Sequence, residues 1–349
     1  MATVEVSGVS YHINDKLIKK WENLKDGKLR KIDEDRAYVV DGRERCGKSL
    51  FTIQQSAFID PEIIEDQERG KILKRIPIPP EVKSWEEDSE WRREAIRRYK
   101  NGTLLPQITF NSMETIKAIR FYKSSDKKTK VIIFDEAFRG MSNKRSLSKE
   151  NKYVTQALME MGQSNLIFWI VSPSFFLLEL YPAVLRTNAL FHVVKDKKTK
   201  KRVVRIFNYR KKAMLYQIGL RRGWGYSIAT TERVNFYNVY PGGRDFEWRY
   251  RLKKQLSFME SDFIKEKDDS KFRIQRDLII RSLYEELKSA EEVSKRLKKA
   301  GVSMSAAQVR YIVKRKGAFY EGLTPELEEY EAREDGDYMD LMGEIEEST

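Results

Sequence analysis

Residues 42–51 read "GRERCGKSLF" and follow a short apolar run, "AYVV", at 37–40. Gly42, Gly47, Lys48 and Ser49 fill every fixed position of the pattern G-x-x-x-x-G-K-[ST]. With that spacing a loop wraps so that backbone N–H groups point at phosphate oxygens, and the following helix presents its positive end to them. Lys48 is placed to reach β- and γ-phosphates, and Ser49 to offer a hydroxyl to a magnesium ion. The candidate nucleotide-binding set is therefore Gly42, Arg43, Glu44, Arg45, Cys46, Gly47, Lys48, Ser49 and Leu50. Cys46 reads as a small packing side chain within it.

At usual residue frequencies the pattern arises by accident in about one or two chains per hundred of this length, so its surroundings have to support it. "RAYVVDG" reads as a strand ending in glycine, and "SLFTIQQSAFI" as a helix that Pro61 stops. Strand, glycine-bearing loop and helix form the setting a phosphate loop requires. A second motif, "VIIFDEAF", starts at Val131. Val131 to Phe134 form a buried strand that delivers Asp135 to a magnesium shell, and Glu136 is a carboxylate able to orient and deprotonate an attacking water.

Other segments fit around these two. Residues 14–26, "NDKLIKKWENLKD", read as a short amphipathic helix capped by Asn14 or Asp15. The charged stretch 65–102 reads as a surface insertion whose helix carries two tryptophans. "PQITF" is a short strand, "SMETIKAIRFYKSS" a helix, 151–162 a helix and "NLIFWIV" a strand. A turn and helix follow in "SPSFFLLELYPAVLR", then a hairpin in which "ALFHVV" and "RVVRIF" flank the lysine-rich turn "KDKKTKK". Alternating strands and helices imply an α/β fold on a mainly parallel sheet.

The two motifs and "NLIFWIVSPSFF", which follows a helix ending in "MGQS", resemble the P-loop ATPases that carry a catalytic glutamate directly after the Walker B aspartate. Within them the chain is similar to the FtsK/HerA group of DNA-pumping motors and the Zot-like ATPases of viruses and plasmids. The likeness covers roughly 30–215. It implies a RecA-like core, ATP and Mg²⁺ as cofactors, and a ring of subunits, a hexamer among the options. It also implies Gln163 or Ser172 as γ-phosphate sensor, and an arginine inserted into a neighbouring subunit's site: Arg186 first, Arg139 and Arg145 behind it. The loop departs from relatives in carrying Arg43, Glu44, Arg45 and Cys46 where glycine or serine is common. No counterpart of the Zot-like membrane segment is read here.

Composition narrows the partners. The 349 residues carry a formal charge of +14, and the segment from Glu321 onward holds twelve acidic residues and one basic one, a net −11 that leaves +25 for the rest. Such a body favours an anionic partner, DNA first. One cysteine excludes an internal disulfide and fits a cytoplasmic setting, that of a virus's or mobile element's host included. Two isolated histidines exclude a Cys/His zinc cluster. Residues 166–180 are the most apolar window, but Ser172, Pro173, Ser174 and Glu179 break it as a membrane span.

Four domains are expected: an ATPase domain at 1–246, a charged helical linker at 247–271, a small all-α helix-turn-helix module at 272–318 and a disordered acidic tail at 319–349. Leu278, Ile279, Leu283, Val293, Leu297, Val302, Val309 and Ile312 would form the module's core. Its last helix offers Gln308, Arg310, Lys314, Arg315 and Lys316 to DNA, and the hairpin turn adds Lys198, Lys200 and Lys201. The leading function is an ATP-driven DNA translocase of packaging type. An ATP-gated DNA-binding switch, such as a regulator or partition protein, and a Zot-like assembly or export ATPase stand as alternatives. The acidic tail competes with DNA, binds a protein partner or solubilises the chain.

Overall fold

The computed structural model describes residues 2–74, 90–137, 149–161, 164–196, 201–221, 225–227 and 231–314. It opens with a hairpin, β1 (Ala2–Val6) and β2 (Val9–Ile13). Ser7 and Gly8 close it at φ of 51° and 76°, the left-handed pair that a two-residue hairpin turn demands. The "SG" between alternating apolar residues was the sequence signal for it. Helix α1 (Asp15–Glu22) starts where Asn14 accepts a hydrogen bond from the Lys16 amide, so Asn14 and not Asp15 is the cap. A short helix α2 (Lys28–Ile32) leads to β3 (Arg36–Asp41), and the phosphate-loop pattern then opens α3 (Lys48–Ile59).

Two-residue strands β4 (Gln67–Glu68) and β5 (Lys71–Ile72) pair with each other, and α4 (Glu90–Lys100) follows. Next come β6 (Ile108–Thr109), α5 (Ser112–Ser124), β7 (Lys130–Phe134), α6 (Lys149–Glu160) and β8 (Leu166–Ser172). Then follow β9 (Ala189–Lys195), β10 (Arg202–Asn208), α7 (Tyr209–Arg221) and β11 (Glu232–Phe236). Last are α8 (Gly243–Leu287), α9 (Ala290–Lys299) and α10 (Ala306–Lys314).

The main sheet has seven strands in the order β11-β10-β9-β3-β8-β7-β6. The five from β9 to β6 run parallel, and β10 and β11 add antiparallel at one edge. A strand buried on both faces reads as an unbroken apolar run, and "LIFWIVS" in β8 is wholly buried. Its side chains alternate between two cores. Ile167, Trp169 and Val171 join Tyr38, Val40 and Ile133 on one face, whereas Leu166, Phe168 and Ile170 join Val39, Ile132 and Phe134 on the other. β8 lies between the phosphate-loop strand β3 and the acidic strand β7, and pairing aligns Asp41 with both Ser172 and His192. The carboxyl ends of the parallel strands thus face one crevice, the usual ligand position in an open α/β sheet.

Several expectations are corrected. Segment 173–188 forms a 3₁₀ turn (Phe175–Leu177) and a π turn (Tyr181–Leu185), not an α-helix. Pro182 has no N–H to donate to a carbonyl four residues back, and the Arg186 amide bonds the Tyr181 carbonyl five residues back. Helix α4 is not a solvated insertion, since it buries Trp91 and Ala95 in the first core and sets Trp91 5.8 Å from Trp248. The body does not end before 247, because Tyr250 and Leu252 belong to that same core. The chain divides into compact units at Met1–Met259 and Glu260–Thr349. In the second unit Ile280, Ala290, Val293, Val309 and Ile312 are buried, with Leu283, Tyr284 and Leu287 packed against them. Leu278, Ile279 and Val302 are exposed instead. The true stripe of α8 is 280, 283, 284 and 287, the i, i+3, i+4, i+7 set of one helical face. The tail at 319–349 lies outside the described residues. No helix among the described residues is long and apolar enough to cross a membrane.

Trp21 clamps the amino-terminal segment to the sheet. It is fully buried against Tyr38, Trp169 and Phe191 and donates its Nε1–H to Gln55 Oε1 at 2.8 Å. Trp21→Ala is expected to lower unfolding stability by about 3–5 kcal/mol. Trp21→Phe should cost less but leave Gln55 short of a partner. Denaturant melts of both variants check this.

Candidate functional site

The loop between β3 and α3 has the shape that only glycine permits at its two ends. Gly42 sits at φ +144°, and a Cβ there would lie 2.2 Å from the Val193 carbonyl oxygen. Gly47 sits at φ +100°, and its Cβ would meet Arg202 at 3.1 Å and Phe236 at 3.2 Å. Between them Arg43, Glu44 and Arg45 are exposed, while Cys46 turns inward and is buried. Burial pushes the Cys46 thiol up, so it is not a poised nucleophile. Lys48 Nζ donates to the Gly42 carbonyl at 2.8 Å and the Arg43 carbonyl at 3.1 Å, folding its charge back over the loop. Leu50 is buried at the start of α3.

The acidic pair emerges from β7. The Asp135 amide bonds the Thr109 carbonyl at 2.8 Å, and its side chain is buried. Glu136 follows at φ +60°, and its amide donates to Asp135 Oδ1 at 3.0 Å. A left-handed, non-glycine residue costs of order 1–3 kcal/mol and persists only where the surrounding structure holds it.

The acidic pair is reached by a residue that neither motif contains. The phenol of Tyr250, on α8, donates to Asp135 Oδ2, with Ser49 near enough to be a minor influence on the phenol's ionisation. Tyr250 therefore stands beside the strand-end aspartate and near the phosphate-loop serine. Burial first, and the Asp135 charge after it, push the Tyr250 pKa well above that of a free tyrosine. One turn on, Lys254 Nζ lies 2.8 Å from Glu136 Oε1 and 3.8 Å from Asp135 Oδ2. Burial opposes its charge, yet Asp135 and Glu136 hold the ammonium above the ordinary lysine value. No group of three or more His, Cys, Asp or Glu side chains suited to a metal occurs among the described residues. A magnesium–nucleotide site needs fewer, because phosphates and waters fill most of the shell, and the Ser49 hydroxyl with the Asp135 carboxylate fits that demand.

The sensor position is built differently from expectation. Ser172 is buried and donates to the Ser174 carbonyl at 2.9 Å, while Gln163 lies outside the described residues. Beside Ser172, Asp41 is fully buried and takes a hydrogen bond from His192 Nδ1 at 2.9 Å, another from the Phe175 amide at 2.8 Å and a third from the Tyr226 phenol. The His192 and Tyr226 rings stack at 3.7 Å. His192, isolated in sequence, is thus packed next to the residue that begins the phosphate loop.

Arg186 is corrected. Its guanidinium pairs with Asp35 and donates to the Leu158 carbonyl at 2.8 Å, with the side chain 13% exposed. A finger has to leave its own subunit, and this arginine is spent inside it. Arg139 and Arg145 lie outside the described residues. Arg202 is the arginine set against the phosphate loop of the same chain. It pairs with Asn238, and its Nε is buried with no hydrogen-bond partner among the described residues.

Of the DNA candidates, Gln308 closes a capping box with Ser305 at the start of α10, and Arg310 pairs with Glu291. The Lys314 side chain, Arg315, Lys316, Lys198 and Lys200 lie outside the described residues. Lys201 is exposed beside the hairpin closure, where its carbonyl accepts from the Asp196 amide at 2.9 Å.

No protein-family model and no curated protein matches the chain. Solved structures do overlap it. The N-terminal domain of zonular occludens toxin from Neisseria meningitidis is 13% identical, with a TM-score of 0.33 over 59% of this chain and 94% of that one. The genome packaging NTPase B204 from Sulfolobus turreted icosahedral virus 2, in complex with ATP-gammaS, is 14% identical, with a TM-score of 0.31 over 51% and 94%. The KaiC-like protein PH0186 from Pyrococcus horikoshii OT3 is 13% identical, with a TM-score of 0.31 over 60% and 88%. Overlaps this loose bear no weight for function. The class rests on the chain's own strand order and loop: an α/β, RecA-like P-loop fold.

Gly42→Ala places a methyl group into the Val193 carbonyl and a left-handed backbone on alanine. The backbone strain alone should cost about 1–3 kcal/mol, and nucleotide affinity should collapse. Thermal melts and a nucleotide titration check both; a variant that binds as the wild type would contradict the loop assignment.

Proposed function

We propose that the chain is a magnesium-dependent P-loop ATPase that works on DNA, as a translocase of packaging type assembled into a ring. The observation that carries the hydrolytic part is the glycine-shaped phosphate loop opening at the same edge of the sheet as the buried Asp135, with Glu136 next to it. The amides of 42–49 and the amino end of α3 bind the phosphates. Lys48 swings from the Gly42 and Arg43 carbonyls onto the β- and γ-phosphate oxygens. Ser49 and Asp135 would hold a magnesium ion, which when bound supplies charge neutralisation at those phosphates. Glu136 takes a proton from the attacking water, and phosphoryl transfer to that water yields ADP and phosphate. Arg202 adds positive charge in cis at the loop, and a neighbouring subunit provides a further cation. Ser172 and the Asp41–His192 pair lie in register at the strand ends, the place from which loss of the γ-phosphate is felt.

The DNA assignment rests on charge and on the second unit. The chain before Glu321 carries a net +25, and α9 and α10 pack as the last two helices of a three-helix unit whose final helix bears Arg310 and Lys314. Basic helices of this kind hold phosphates and reach base edges.

Glu136→Gln keeps the shape and removes the base. It should bind ATP, hydrolyse it about 100-fold more slowly or worse, and remain on DNA. The test is ATPase rate and particle mass with and without DNA of graded length, for both proteins. Wild-type stimulation that grows with DNA length supports translocation, stimulation by one short site supports an ATP-gated switch, and indifference to DNA supports export. Unchanged turnover in Glu136→Gln would remove the proposed base.

A further inference from the structure

Helix α8 is an unexpected contributor to the site. Its first turns are anchored in the body: Arg249 Nη1 pairs with Asp66 at 2.9 Å and its Nη2 donates to the Ile64 carbonyl, while buried Lys253 donates to the Leu105 carbonyl at 3.0 Å and pairs with Glu114. Phe246 and Phe110 flank Tyr250, with centroids at 6.2 and 5.7 Å. With the helix held there, residues 250 and 254 stand on one face, since i and i+4 positions are neighbours. That face carries one phenol to Asp135 and one ammonium to Glu136.

Two adjacent carboxylates at the end of a buried strand repel each other unless a cation stands between them. In this structure the cation is Lys254, within 4.0 Å of both. We propose that Tyr250 and Lys254 are positioning residues of the hydrolytic site, which hold Asp135 and Glu136 through contacts that magnesium–nucleotide has to displace. The inference rests on the nucleotide-site reading above. Tyr250 ties up one Asp135 oxygen, a group a metal would take. Lys254 ties up Glu136 and holds a positive charge where a second positive charge would have to enter. While these contacts last, Glu136 Oε1 accepts the Lys254 hydrogen bond and the carboxylate is a weaker base toward water, so α8 restrains turnover until nucleotide loads.

The test is magnesium titration of nucleotide binding by the full chain, read by fluorescence of a labelled non-hydrolysable ATP analogue, so that no turnover enters the readout. Wild type, Lys254→Met, Lys254→Arg and Tyr250→Phe are compared, each with a thermal melt. Lys254→Met removes one unit charge beside the carboxylates, and the magnesium midpoint should fall about tenfold or more. Lys254→Arg should keep the wild-type midpoint, and Tyr250→Phe, which frees Asp135 Oδ2, should lower it by a smaller factor. DNA-free ATPase of Lys254→Met should rise. An unchanged or higher midpoint in a folded Lys254→Met would overturn the proposal; should that variant not fold, an unchanged midpoint in Tyr250→Phe would do so. A wild-type chain that binds no nucleotide at any magnesium concentration would instead take down the nucleotide reading itself.

Discussion

The functional account depends on one constraint: the phosphate loop after β3 and Asp135 at the end of β7 open on the same edge of the sheet. The sheet makes it happen. With β8 inserted between β3 and β7, the loop and the acidic pair are not on adjacent strands, yet both open on the same carboxyl edge. Burial of β8 on both faces locks the strand order that aims them at one crevice.

The phosphate loop is legible in sequence because its constraints are local. Gly42 answers to its positive φ and to a Val193 carbonyl oxygen that would lie 2.2 Å from a Cβ, and Gly47 to its φ of +100°. Lys48, Ser49, Asp135 and Glu136 follow from spacing and from an apolar run with an acidic end. The parallel strands follow from the alternation of strand and helix, and the β9–β10 hairpin from its polar turn.

What sequence could not disclose is what arrives from far along the chain. Tyr250 and Lys254 belong to a stretch whose charge pattern reads as a linker, and only the burial of Phe246, Arg249 and Leu252 reveals that it is part of the body. His192 looks isolated until β3–β9 pairing puts it opposite Asp41. Arg186 follows an apolar stretch as a finger would, but Asp35, 151 residues earlier in the chain, claims it. In α8 the runs "DLIIRSL" and "YEEL" contain more apolar residues than one face can use, and packing, not composition, selects Ile280 over Leu278 and Ile279.

The central claim, that the loop and the acidic pair share one metal-bound triphosphate, is tested most directly by Mn²⁺ electron paramagnetic resonance with an ATP analogue present. Wild type should hold Mn²⁺ only together with nucleotide. Ser49→Ala and Asp135→Asn should each weaken that binding by about tenfold or more, the scale seen even for outer-shell partners of a metal. Tight Mn²⁺–nucleotide binding that ignores both substitutions would mean that the two motifs do not converge on one ion.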